Sequence, residues 1–181
     1  MTPEITDILF QALCACLEIS PSAASSSALV RRSFQDPEPA PPLSRNRNAV
    51  FFDLVPETAP DAGYASYTQE NPQSVSAFPA VSSYLPYRLV IVCYGPDSEK
   101  NVQKIRSFLY LDGNGYSRSI LRKGGIYPVP RPPMPVLIRE ETGGQFRLRA
   151  DLTVQLRIKE TLVRENRRNA INQVPPVIIR R

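Results

Sequence analysis

Four basic residues that recur along one stretch are the first candidates for chemistry in this sequence. They are Arg147, Arg149, Arg157 and Lys159, whose positions differ by even numbers. On a strand they would share one face, where guanidinium and ammonium groups could contact phosphates. A solvated sheet face, or one paired with acidic groups of a neighbouring chain, explains the same pattern. We favour this second explanation because the strand places no aromatic residue for base stacking on that face.

Two tyrosines are candidates for contacts with a protein partner. Tyr64 and Tyr67 lie within residues 57–83, a segment rich in Ser, Ala, Gln, Asn and Pro that has no hydrophobic periodicity. A connection of this length usually serves in an interaction, or becomes ordered when a partner binds. Tyrosine is enriched at protein interfaces. The same two rings could equally pack back on their own domain, and both interpretations stay open.

The sequence lacks the residue types on which most enzyme sites depend. It contains no histidine, which is the commonest general base and metal ligand. Cys14, Cys16 and Cys93 lie in apolar surroundings without metal-ligand spacing, so we expect free thiols in the core and a reducing compartment. Glu140 and Glu141 lie beside a turn, where carboxylates are normally solvated. We therefore expect no enzyme activity, cofactor or metal site, although a hydrolase that uses Lys or Ser stays open.

The basic residues belong to the most regular stretch of the chain, residues 146–158. Its sequence, FRLRADLTVQLRI, alternates strictly between apolar and polar residues. Such alternation is typical of a strand with one buried face. The stretch is much longer than a typical strand of about 5–6 residues. We therefore expect several pairing partners, and a β-hairpin with residues 136–139 through the turn at Gly143-Gly144.

Further elements are predicted on the N-terminal side of this strand and after it. Apolar spacing predicts a helix at residues 3–18 and a second one that is capped by Asp97 or Ser98 and ends at Asp112. The fully apolar character of residues 87–94 indicates a central strand covered on both faces. Additional short strands are predicted at residues 28–34, 49–55 and 177–179. We expect a flexible connection at residues 22–27 and an extended proline-rich run at residues 126–135. The pattern of residues 117–123 predicts no particular structure.

The composition is that of a soluble globular chain with one domain. A length of 181 residues with 42% hydrophobic content is enough for one core. No window approaches the roughly 18 consecutive apolar residues of a membrane helix, and the amino terminus lacks the basic region of a secretion signal. The net charge is +5. Because the basic residues are dispersed, charge alone is weak support for binding to nucleic acid.

The order of these parts resembles the tail terminator proteins, also called neck terminator proteins, of long-tailed bacteriophages. The most specific feature is Tyr94-Gly95-Pro96-Asp97 with the helix that follows, which is similar to the strand–YGP–helix signature of that family. An N-terminal amphipathic helix, the strand AVFFDLV and a long alternating strand after a glycine turn agree with it. The proline-rich residues 126–135 and the polar tail after Lys159 depart from the family pattern.

The resemblance implies a structural role in the virion. Members of the family form a ring of six on the last ring of the tail tube, stop its elongation and provide the surface that joins the head connector. The implied partners are further copies of the chain, the tail tube protein, a head-completion or connector protein and, in a contractile tail, the sheath protein. DNA passes through such a ring without specific recognition. The implied location is the tail or neck of the virion, after synthesis in the host cytoplasm and without contact to a membrane.

The fold that the resemblance implies agrees with the predicted elements. It is a single α+β domain at residues 1–160, in which a mixed, mostly antiparallel β-sheet carries two helices on one face, with a long β-hairpin and extended loops. Residues 57–83 would be a long interaction loop, and residues 161–181 a polar C-terminal extension. In a ring the hairpin would reach the next subunit, where Arg147 and Arg149 would meet acidic groups. The alternatives are a basic nucleic-acid-binding module and another head–tail completion protein.

Overall fold

A β-sheet with helices on one face forms the centre of the molecule. The computed structural model describes residues 3–26, 29–33, 46–58, 65–68, 80–111, 115–142 and 145–163. Within these ranges the helices are α1 (Pro3–Cys16), α2 (Pro21–Ser26), α3 (Ser98–Tyr110) and α4 (Tyr116–Lys123). The strands are β1 (Val30–Arg32), β2 (Ala49–Pro56), β3 (Ala65–Thr68), β4 (Ala80–Tyr94), β5 (Ile126–Pro128), β6 (Val136–Thr142) and β7 (Gln145–Val163).

The two long strands β4 and β7 lie next to each other in the middle of the sheet. The strand order is β1-β2-β4-β7-β5, while β3 also pairs with β4 and β6 also pairs with β7. Strand β1 is parallel to β2, and the other pairings are antiparallel. The predicted fold class, a mixed and mostly antiparallel sheet in one α+β domain, is therefore confirmed.

The alternation of residues in β4 and β7 determines which side of the sheet is buried. On the helix side six neighbouring positions are at most 2% exposed: Leu89, Ile91, Cys93, Ala150, Leu152 and Val154. The helices complete this layer with Leu9, Leu13, Val102, Ile105 and Leu121, which are buried as well. Burial of one such leucine or isoleucine contributes about 1.5–3 kcal/mol. The layer between helices and sheet is thus the apolar core of the fold.

The predicted helix α3 is confirmed, but the prediction that Asp97 caps it was wrong. The carboxylate of Asp97 does not cap the helix. It accepts a hydrogen bond from Nδ2 of Asn48 at 2.7 Å, and the Asp97 N–H donates to Oδ1 of the same residue. Gly95, just before it, has a φ of +104°, and a Cβ there would lie 2.6 Å from Asn48 Oδ1. The turn before α3 is therefore held by Asn48, which is distant in sequence.

Several segments without a clear pattern form regular structure. The connection predicted at residues 22–27 contains helix α2, since Ser20 Oγ accepts a hydrogen bond from the Ala23 N–H and Ala24 is buried. The unassigned residues 117–123 lie in α4, where Leu121 is buried. Helices at these positions add to the two that were predicted.

The predicted long loop is shorter in the structure, and the central strand is longer. Residues 65–68 form β3, which pairs with residues 80–83 at the beginning of β4. Such pairing depends on backbone hydrogen bonds, so it needs no hydrophobic periodicity. Strand β7 continues to Val163 and so includes the first three residues of the C-terminal extension that is predicted at residues 161–181. The strand predicted at residues 177–179 lies outside the described residues.

The prediction that the central strand is covered on both faces was wrong. Val90 and Val92 of β4 point away from the helices and are only half-buried. The physical reason is that the described helices lie on one face of the sheet. The other side, which we call the open face, is formed by these valines and by the polar residues of β7.

Candidate functional site

The β6–β7 hairpin projects beyond the part of the sheet that the helices cover. On the helix side of β7, Ala150 is 0% exposed, but Leu148 is 52% and Phe146 is 73% exposed. On β6, Leu137 lies opposite Ala150 in the register and is 56% exposed. We call Leu137, Phe146 and Leu148 the hairpin surface. Large apolar side chains that are exposed together are typical of sites where another protein binds.

A hollow of about 310 Å³ adjoins the hairpin surface. Arg139, Phe146, Arg147 and Leu148 line it. The lining of the hollow therefore includes two apolar residues and two arginines. A partner that fills it would need an apolar part and an acidic part, because opposite charges must be paired when water is excluded.

The open-face side of the same hairpin carries a network of ion pairs around Arg149. Its Nε and Nη2 donate to the two carboxylate oxygens of Asp151 at 2.8 and 2.7 Å. Its Nη1 lies 3.6 Å from Oε2 of Glu140, and its guanidinium carbon lies 5.8 Å from the ring centre of Tyr94. The Tyr94 hydroxyl donates to Glu140 Oε2 at 3.0 Å. The hydrogen bonds to Asp151 raise the pKa of Arg149, whereas burial, followed by the hydrogen bond to Glu140, raises the pKa of Tyr94.

This network changes the role expected for one of the candidate residues. The charge of Arg149 is balanced by Asp151 and Glu140 of its own chain. It therefore positions the hairpin on the sheet and has little charge left for a neighbouring chain. Of the two hairpin arginines, we therefore keep Arg147 as the residue that is expected to meet acidic groups of a neighbouring chain.

Arg147 differs from Arg149 in its surroundings. Its Nε is buried and has no hydrogen-bond partner among the described residues. Glu140 lies directly opposite Arg147 in the register, but its carboxylate is used by Tyr94 and Arg149. The Arg147 side chain also lines an open-face hollow of about 430 Å³ together with Phe51, Val92, Tyr94, Glu140 and Arg149. A buried donor without a partner costs about 1–3 kcal/mol, so a side-chain rearrangement that brings Arg147 to an acceptor of another molecule would be favourable.

The remaining basic candidates lie at the other end of β7. Arg157 and Lys159 also face the open side, but eight residues separate Arg157 from Arg149, which corresponds to roughly 27 Å along a strand. The shared face of the four basic residues is confirmed, yet they form two groups. Neither Arg157 nor Lys159 has a hydrogen bond or ion pair from its side chain within the described part of the chain.

Sequence reasoning missed two aromatic residues beside this second basic group. Tyr84 of β4 lies opposite Lys159, and Tyr127 of β5 lies opposite Arg157. The two ring centres are 5.9 Å apart. The expectation that this face carries no aromatic residue was therefore wrong, because strands β4 and β5 bring the tyrosines to it. The sequence of β7 holds no signal for them, since only the strand register shows which residues meet.

The structure gives little information on Tyr64 and Tyr67, the two candidates for contacts with a protein partner. Tyr64 lies outside the described residues. Tyr67 lies on β3, opposite Val81 of β4, so its backbone is part of the sheet. The predicted contacts of both residues with a partner stay predictions.

The cysteines are free and buried, as predicted. Burial raises the pKa of Cys93 to about 12 and that of Cys16 to about 11, and it also raises the pKa of Cys14. These thiols are therefore protonated at neutral pH and poor nucleophiles. Within the described ranges, no cluster of three or more Cys, Asp or Glu residues could hold a metal ion. None of the helices in these ranges has the length and hydrophobicity needed to span a membrane.

Similarity to known proteins does not assign the chain to a family. No protein family matches the sequence, and no curated protein is significantly similar to it. The resemblance to tail terminator proteins therefore rests on the sequence features given above. The function must be inferred from the surfaces that the fold exposes.

Proposed function

We propose that this protein is a structural protein of the phage neck that forms a ring of six subunits, caps the tail tube and joins it to the head connector. The observation that supports this proposal most is the hairpin surface. Leu137, Phe146 and Leu148 project beyond the helix-covered core on the paired strands of the hairpin. In a head-to-tail ring each subunit offers such a patch to the next one, so every patch is covered when the ring closes.

The size of the hairpin surface indicates how strongly the subunits would associate. Burial of three large apolar side chains contributes roughly 5–9 kcal/mol, at about 1.5–3 kcal/mol each. The loss of translational and rotational freedom on association costs about 4–15 kcal/mol. The free energy gained by burying the hairpin surface is thus about as large as the cost of association. We expect the ring to require high protein concentration or the end of a tail tube, which adds a second set of contacts.

Arg147 supplies the polar part of the proposed contact. Its buried Nε lacks a partner within the described residues, and the residue borders both hollows at the hairpin. An acidic group of the next subunit, or of the tail tube protein, would pair with it. Arg149 would orient the hairpin through Asp151 and Glu140 without touching the partner.

The experiment that tests the proposal measures assembly with and without the hairpin surface. We expect wild-type protein to form six-fold rings in negative-stain images, at high concentration or on purified tail tubes, with a matching mass by light scattering. The variant Phe146→Ser/Leu148→Ser should stay monomeric and keep its far-UV circular dichroism. Tyr116→Ser is the matched control, since Tyr116 is an aromatic residue of α4 that is 75% exposed away from the hairpin.

Two outcomes would contradict the proposal. One is a wild-type protein that neither forms rings nor binds tail tubes under any of these conditions. The other is normal ring assembly by the double serine variant. Rings that bind a connector but not a tail tube would favour the alternative within the same class, another head–tail completion protein.

A further inference from the structure

The basic group at the far end of β7 takes no part in the proposed ring contact. It consists of Arg157 and Lys159, with Tyr84 and Tyr127 on the flanking strands, and we call these four residues the tyrosine patch. We propose that the tyrosine patch binds single-stranded nucleic acid, with bases stacked on the two rings and phosphates held by the two cations. This inference is independent of ring formation, because it concerns the opposite end of the strand.

The positions of the two rings support stacking. Strands β4 and β5 lie on opposite sides of β7, and the two tyrosines are offset by two residues along it. Their backbones are therefore about 12 Å apart, at about 4.8 Å per neighbouring strand and about 3.3 Å per residue. Their ring centres are only 5.9 Å apart, with 63° between the planes. Both rings therefore lean over β7 toward each other. They are still 37% and 36% exposed, which leaves ring surface for a base.

The two cations border these rings, and no acidic group among the described residues neutralises them. Arg157 and Lys159 are two residues apart, or about 7 Å along the strand. Neither makes an ion pair from its side chain within the described residues. By contrast, the nearby Arg88 lies 3.1 Å from Glu57 and is paired. The patch thus presents two available positive charges next to two aromatic rings.

This combination fits a single strand better than a duplex. Proteins that bind single strands without sequence preference combine cations along the backbone with aromatic rings on which bases stack. In a duplex the faces of the bases are already stacked on each other, so the rings would find no partner. An acidic protein segment could use the cations but would leave the rings unexplained.

The test measures binding of a labelled oligothymidylate by fluorescence anisotropy at several salt concentrations. Two phosphate contacts predict a slope of about −1.4 for log K against log salt, or a roughly seven-fold loss of affinity between about 50 and 200 mM salt. Because the chain contains no tryptophan, intrinsic fluorescence reports on tyrosine, and stacking should quench it. A duplex of the same length should bind more weakly than the single strand.

Variants distinguish binding at the tyrosine patch from attraction of nucleic acid by positive charge elsewhere on the protein. Arg157→Gln/Lys159→Gln should bring the salt slope close to zero, and Tyr84→Leu and Tyr127→Leu should each weaken binding about ten-fold. Lys100→Gln/Arg122→Gln, on exposed positions of α3 and α4, removes the same charge elsewhere and should keep the wild-type slope. Absence of binding, equal losses in both glutamine pairs, or preference for the duplex would overturn the proposal. Circular dichroism verifies that each variant is folded.

Discussion

The two parts of β7 have the same sequence pattern and very different surroundings. Between Ala150 and Ile158 the apolar side is covered by helices, and each apolar residue there is at most 1% exposed. Between Phe146 and Leu148 the same alternation continues into the hairpin, where the apolar side chains are more than half exposed. Alternation therefore determines the side to which a residue points, whereas the extent of the helix layer determines whether that side is buried.

This difference separates stability from assembly. The covered part of β7 contributes to the folded state of one subunit, because its side chains lose contact with water when the chain folds. The hairpin surface loses contact with water only when another molecule binds. Substitutions in the two parts should therefore have separable effects, although the residues follow each other on one strand.

The largest expected effect is a difference between two leucines on the same side of β7. Leu152→Ala should lower the free energy of unfolding by about 2–5 kcal/mol, because it leaves a cavity in a closely packed core. Leu148→Ala should lower it by less than about 0.5 kcal/mol, as is usual at exposed positions. Urea unfolding of the monomer measures both values. Equal losses at the two positions would show that the hairpin surface is part of the monomer core.

Alkaline pH should act mainly on the covered part, although burial also raises the pKa of Tyr94 beside the hairpin. Burial raises the pKa of Cys93 from 9.0 to about 12 and that of Cys16 to about 11. Unfolded thiols ionise above pH 9, whereas the folded ones stay protonated, so stability is complete below that value and falls as pH rises toward the folded pKa values. At about pH 10 the loss should be on the order of 1 kcal/mol for each thiol.

Urea unfolding at about pH 8 and about pH 10 measures this loss. Cys16→Ala/Cys93→Ala should show a much smaller decrease between the two pH values. Leu148→Ala, in the hairpin, should show the same decrease as the wild type. An undiminished decrease in the alanine pair would assign the alkaline sensitivity to other groups.

The sequence was sufficient for the helices α1 and α3, for the long strands and for the two sides of β7. It was insufficient for α2, α4 and β3 and for the contacts between neighbouring strands. Strict alternation in residues 146–158 predicted the strand and its two sides, since this pattern is local. The approach of Tyr84 to Tyr127 depends on the register of three strands, which no local pattern contains. The pair of Arg149 and Asp151 is an intermediate case. Opposite charges two residues apart on a strand share a face, so this ion pair could have been inferred from the sequence.

The smallest expected effect distinguishes the two arginines of the hairpin. Arg149→Gln should lower the free energy of unfolding by about 1 kcal/mol, because Asp151 loses a partly buried, bidentate partner. Arg147→Gln should not lower it, since Arg147 makes no ion pair among the described residues and its buried Nε has no partner there. Urea unfolding gives both values, and light scattering gives the assembly of each variant.

The effects of these two variants on ring assembly should have the reverse order, with the larger effect for Arg147→Gln. Arg147→Gln removes the guanidinium that is available to a neighbour, so it should weaken ring formation while the monomer keeps its stability. Arg149→Gln should reduce assembly only as far as it loosens the hairpin, and lower temperature should restore part of that loss. If Arg149→Gln abolished rings at full monomer stability, Arg149 would be the contact residue, and the division of roles between the two arginines would have to be reversed.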